Sequence, residues 1–163
     1  MSKLVKLGSV VEDSWALLEE SDLPASAAEL KEFSLIPVAT YLAWADDLPA
    51  NVSPWLSSDV DVECLRPVLA KLTLIALNFA AFADGRSFSQ ARILRDQLEY
   101  QGELRAVGAF IQDQLFFLRR CGVDSYSVAD DADVESMQAS LNDFTETYQA
   151  ACDVQEPLFR RRV

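Results

Sequence analysis

Between Thr73 and Val128 the chain alternates short apolar runs with capped, amphipathic segments. No other feature limits the fold as much. Leu74-Ile75-Ala76-Leu77-Asn78-Phe79 is nearly all apolar, as a strand covered on both faces must be. Ser87-Phe88-Ser89-Gln90 then reads as a capping box, with Ser87 as cap and Gln90 reaching back. In the helix that follows, Ala91, Leu94 and Leu98 face inward, while Arg92 with Asp96 and Arg95 with Glu99 pair outside. Gly102 is placed to end it as a left-handed residue. A strand from Glu103 to Val107 and a helix to about Cys121 come next, the helix closed by Gly122. A last strand, Ser125 to Val128, leads through Asp130-Asp131 to a helix with Val134, Met137, Leu141, Phe144 and Tyr148 aligned. Strands alternating with capped helices point to parallel pairing and right-handed crossovers.

Upstream, residues 3–7 and 10–16 alternate apolar with polar around Gly8-Ser9, the pattern of a small hairpin. Glu19 to Glu32 is polar and reads as a surface connection. Pro37 suits a first helical turn, with Val38, Tyr41, Leu42 and Ala45 at helical spacing after it. Val52 to Leu56 reads as a strand despite Pro54, which removes a ladder hydrogen bond. Its helix opens at Ser58 or Asp59, and Pro67 should kink or split it. The expected fold is α/β, with about four βα units and a mainly parallel sheet, open or half-barrel-like, after a small N-terminal hairpin. Residues 1–32 form the hairpin and connection, and residues 33–163 a single α/β domain.

Fourteen Lys and Arg against 26 Asp and Glu leave a net charge of -12, which makes nucleic acid and anionic membranes poor partners. The acidity is uneven. Asp84 to Arg120 holds six arginines and five acids, or +1, so the rest of the chain carries -13. The start of the chain lacks the apolar run of a signal peptide, so a cytoplasmic protein is expected. Histidine is absent, which removes the usual general base and the commonest metal ligand. Cys64, Cys121 and Cys152 are too few and too scattered for a four-thiolate site, and suit reduced, packed thiols. The residues call for no metal and no cofactor.

Asp84-Gly85-Arg86 lies just past the buried strand and just before a helix, where α/β proteins place ligands. There Arg86, Ser89 and free helix amides suit a small oxyanion. The plainer alternative is that Asp-Gly makes the turn and Ser87 caps. Arg105, mid-strand, needs a partner or a ligand, and Glu103 on the same face can pair with it. Asp113-Gln114 opens the next helix and Arg119-Arg120 closes it, as the helix dipole favours.

The run Leu74 to Phe79, then Phe82-Ala83-Asp84-Gly85-Arg86-Ser87-Phe88-Ser89-Gln90-Ala91-Arg92, resembles the DUF934 proteins, a bacterial family of unknown function. The resemblance continues through Gly102-Glu103-Leu104-Arg105-Ala106-Val107-Gly108, Asp113-Gln114-Leu115 and Arg119-Arg120-Cys121-Gly122, and spans roughly residues 35–150. Members are commonly labelled probable oxidoreductases of sulfite reduction, because their genes tend to lie beside that of the sulfite reductase hemoprotein. The resemblance therefore implies a role in assimilatory sulfur metabolism. Asp84, Arg86, Ser89, Arg92, Arg105, Asp113 and Gln114 are the family-like polar positions.

Two expectations follow. One is an accessory protein that docks on the sulfite reductase hemoprotein or its electron donor, its acidic surface orienting a more basic partner. The other is a small oxyanion-binding enzyme or sensor. In it Arg86, Ser89, Arg92, Arg105 and Gln114 are the binding candidates, and Asp84 or Asp113 is the acid or base. A half-barrel would leave apolar strand edges that favour a homodimer.

Overall fold

A computed structural model describes residues 3–6 and 9–161. β1 (Lys3–Lys6) and β2 (Ser9–Val11) pair antiparallel as the expected hairpin, whose turn residue Gly8 lies outside the described residues. β3 (Ala16–Leu17), β4 (Ser34–Pro37) and α1 (Val38–Ala43) follow. Then come β5 (Val52–Leu56), β6 (Leu74–Phe79), α2 (Arg86–Asp96), β7 (Glu103–Gly108) and α3 (Leu115–Arg120). β8 (Ser125–Val128), α4 (Val134–Ser140) and α5 (Leu158–Arg161) complete the described chain. None of these helices is long and apolar enough to cross a membrane.

All eight strands form one sheet, in the order β2-β1-β8-β7-β6-β5-β4-β3. From β3 to β8 every neighbour is parallel and consecutive in sequence, whereas β1 runs antiparallel to both β8 and β2. The fold is therefore α/β with a mixed sheet, and the four units read from the sequence do not account for it. β3 and β4 were not anticipated, because two and four residues are too few to show a period.

The two edge strands, β2 and β3, are joined by residues 12–15 alone. Five residue steps reach about 17 Å at most. Eight strands laid flat, about 4.8 Å apart, would separate the edges by roughly 34 Å. The sheet must therefore curl, and it forms a half-barrel with residues 12–15 crossing its open side. Its outer face, covered by the helices, carries Ile36, Leu56, Ile75, Leu77, Phe79, Leu104 and Ala106, all nearly or wholly inaccessible. Its inner face carries Leu35, Leu74, Ala76 and Val107, against which Trp15 and Trp55 pack.

Several local expectations are corrected. Pro67 does split the segment after β5, but the pieces are two 3-10 turns, Val62–Leu65 and Leu69–Lys71, in place of the expected helix. α2 is capped by Gly85 with no side-chain bond, so Ser87 and Gln90 form no capping box. Instead the buried Ser87 hydroxyl donates to the Asn78 carbonyl at 3.2 Å, and Gln90 Nε2 donates to the carbonyls of Ser57 and Val60, both at 2.8 Å. Tertiary carbonyls outcompeted the local cap. The left-handed residue after α2 is Glu99 (φ 52°), not Gly102. Gly102 is needed for closeness, since a Cβ there would stand 2.9 Å from the Thr73 carbonyl. Gly122 does adopt the expected left-handed conformation, at φ 95°. α4 stops at Ser140, leaving Phe144 and Tyr148 64% and 66% exposed.

Candidate functional site

The loops after β5, β6 and β7 meet at the carboxyl ends of the strands. Asp84 is held there from three directions. Arg86 Nε and Nη2 donate to its two oxygens at 3.0 and 2.8 Å, the Arg86 amide donates at 3.2 Å, and the Ser58 hydroxyl at 2.5 Å. The guanidinium bonds, followed by the Ser58 and amide bonds, hold the carboxyl far below the usual range. A carboxylate fixed in this way is a poor proton acceptor. Ser89 is exposed one turn into α2, and Asp113 is exposed in the 3-10 turn Gln112–Gln114. Gln114 ties two loops together: its Nε2 donates to the Phe82 carbonyl at 2.9 Å, and its Oε1 accepts from the Ile111 amide at 3.1 Å. Around this tie Phe82, Ile111 and Phe117 stand 61%, 43% and 54% exposed. Phe117 stacks on Phe88, which packs on the core residue Phe79.

Arg105 belongs to a second place, the inner face of the sheet. Its side chain is 3% exposed. Nη1 donates to Asp13 at 2.8 Å, and Nε and Nη2 donate to Glu103 at 3.2 and 2.9 Å. Glu103 also accepts from the Lys6 ammonium at 2.5 Å and the Ser125 hydroxyl at 2.6 Å. Burial pushes the Glu103 carboxyl up, but these donors outweigh it and leave the group below its ordinary value. Pairing with Glu103 is the arrangement that strand spacing suggested. Asp13 and Lys6 are distant in sequence and gave no signal of their own.

Arg92 lies at a third place, the outer side of α2. It pairs with Asp96 at 2.5 Å, as i,i+4 spacing implies, and its Nη1 also meets Cys152 Sγ at 3.1 Å. Arg95 does not pair with Glu99. It clasps three backbone carbonyls, those of Tyr100, Gly102 and Gly122, and forms an ion pair with Asp124 at 2.6 Å. Beside it opens a cavity of about 650 Å³, with Asp96, Arg119, Asn142, Cys152 and Asp153 in its wall.

The family-like polar positions thus occupy three surroundings. Asp84, Arg86 and Gln114 share the rim, Arg105 lies inside the curl, and Arg92 lies on the helical layer. Arg86, Arg92 and Arg105 have no hydrogen-bond partner in common among the described residues.

Curled, consecutively ordered strands with polar loops at their carboxyl ends define an α/β half-barrel protein. The model of a family described as bacterial protein of unknown function (DUF934) matches residues 53–159, and the chain belongs to that family. No curated protein and no solved structure matches it.

Proposed function

We propose that this protein is an accessory component of assimilatory sulfite reduction that docks, through its carboxyl-end rim, on the sulfite reductase hemoprotein or its electron donor. The observation that carries the docking reading is the exposure of Phe82, Ile111 and Phe117 around a rim whose charges, Asp84 and Arg86, are already paired. Aromatic residues with a satisfied polar surround are the composition of a protein-binding patch. The net charge of -12 favours a basic partner and speeds encounter at low salt. The link to sulfite reduction is supported by the family resemblance of residues 74–122.

The oxyanion reading fares less well. Arg86, Arg92 and Arg105 each already face a carboxylate of the chain, so an anion would have to displace it. Docking requires no such displacement.

The test is co-purification with the hemoprotein and with its electron donor at low salt, followed by titration of the Phe82→Asp/Phe117→Asp double variant. We expect wild-type association and at least a tenfold loss in the variant, the scale of burying two aromatic anchors. Failure of the wild type to associate with either protein at low salt removes the reading. Equal binding by the variant moves the interface off the rim.

A further inference from the structure

Beyond docking, the helical layer brings together two of the three cysteines. The Cys152 amide donates to the carbonyl of Arg120 at 3.1 Å, and Arg120 directly precedes Cys121. Covalent dimensions then confine the two cysteine Cα atoms to within roughly 7 Å of each other. That is the span a disulfide bridges, typically about 4.4–6.8 Å. Arg92 and Asp96 act electrostatically on both sulfurs, and the Cys152 sulfur acts on that of Cys121. Cys121 is 3% exposed, whereas Cys152 is half-buried and lines the 650 Å³ cavity.

From this juxtaposition we infer that Cys121 and Cys152 form a reversible redox site, closed to a disulfide by exchange with a low-molecular-weight disulfide entering through the cavity. The exposure difference sets the order of events. The Cys152 thiolate attacks one sulfur of the small disulfide, whose S–S bond breaks and releases one thiolate. The buried Cys121 then attacks the Cys152 sulfur of that mixed disulfide and releases the second. Two protein thiols are oxidised, one small disulfide is reduced to two thiols, and the two protons pass to the leaving thiolates.

The resulting bond would pin the segment after α4 to the turn before β8. That packing is incompletely satisfied. Of four buried polar side-chain atoms without a hydrogen bond among the described residues, three lie here: Arg120 Nη1, Thr147 Oγ1 and Arg161 Nε. Burial pushes both thiols up, Cys121 to about 11, with Arg92 pulling the other way. Thiolate is therefore scarce at neutral pH, and exchange is slow until it forms.

The experiment uses the full chain, incubated with glutathione disulfide, denatured, and titrated for free thiols. We expect a fall from three titratable thiols to one, and a Cys121–Cys152 linked peptide by mass spectrometry without reduction. The Cys64→Ser variant should still lose two thiols. Cys152→Ser should form no internal link, keeping Cys121 free in the fold. Three thiols persisting at alkaline pH, a glutathione adduct that stays on Cys152, or a link that uses Cys64 would each overturn the inference.

Discussion

Arg105 and Arg86 make the same contact, a guanidinium on a carboxylate, in opposite surroundings. The Arg105 side chain is 3% exposed and its partner Asp13 9%, while Arg86 is 61% exposed. Inside the curl the charges have lost their water, and Asp13, Glu103, Lys6 and Ser125 are what replace it. On the rim, water is at hand and the ion pair only orients a loop. The contrast teaches that an arginine's partner does not reveal its role, but the cost of removing the partner does. Arg105 joins β7 to the residues that cross the open side of the half-barrel, so it serves closure of the fold. Arg86 only fixes a loop of the rim, the surface to which the proposed docking is assigned.

Arg105→Ala should have the largest effect. It leaves Asp13 and Glu103, both largely shielded from water, as underpaired carboxylates, a loss of about 3–5 kcal/mol. For a domain of this size that is a large share of the total stability. Urea unfolding should show the midpoint falling with the slope preserved. Arg105→Met combined with Asp13→Leu should recover part of the loss, because no lone buried charge remains at that pair. A loss below about 1 kcal/mol for Arg105→Ala would erase the distinction between interior and rim.

Acid sharpens the same contrast by a smaller amount. The Glu103 carboxyl lies below its ordinary value in the fold. Its contribution is therefore complete above the unfolded value, about 4.3, and fades as pH falls through the lower folded value. Stability measured from pH 6 down to pH 3 should decline in the wild type. Glu103→Gln should start lower at pH 6 and decline less steeply. An unchanged slope would mean that the acid sensitivity arises elsewhere.

These interior effects were only half legible in the sequence. Leu74–Phe79, Glu103–Val107 and Ser125–Val128 could be read as strands because apolar content and flanking turn residues are local properties. The partnership of Arg105 with Glu103 followed from strand period alone. Asp13 could not be found that way, because it reaches Arg105 only once the sheet curls and brings residues 12–15 across. The same reason explains Ser87 and Gln90. Their spacing satisfied a local capping rule, yet carbonyls of Asn78, Ser57 and Val60 became available on folding and took them instead. The Asp84-Gly85-Arg86 turn was legible in place, but the Ser58 hydroxyl that completes it comes from the neighbouring strand's loop. On the outer layer, nothing in the spacing of Cys121 and Cys152 announced their meeting.

The smallest stability effect belongs to Arg86→Ala, and it is the one that separates the two regions most cleanly. Removing the side chain takes two donors from Asp84 but leaves the Ser58 hydroxyl and the residue 86 amide in place. Water can replace the lost donors at an exposed position, so the melting temperature should not change measurably. The local electrostatics should change nonetheless. With its principal partner gone, the Asp84 carboxyl should titrate closer to the ordinary range, a shift that carboxyl-carbon NMR detects residue by residue. Docking on a basic partner should survive or strengthen slightly, because one positive charge has left the patch around Phe82. Unfolding of Arg86→Ala on the scale expected for Arg105→Ala would show that the rim ion pair braces the half-barrel. The loop after β6 would then belong to the architecture and not to the surface that meets a partner.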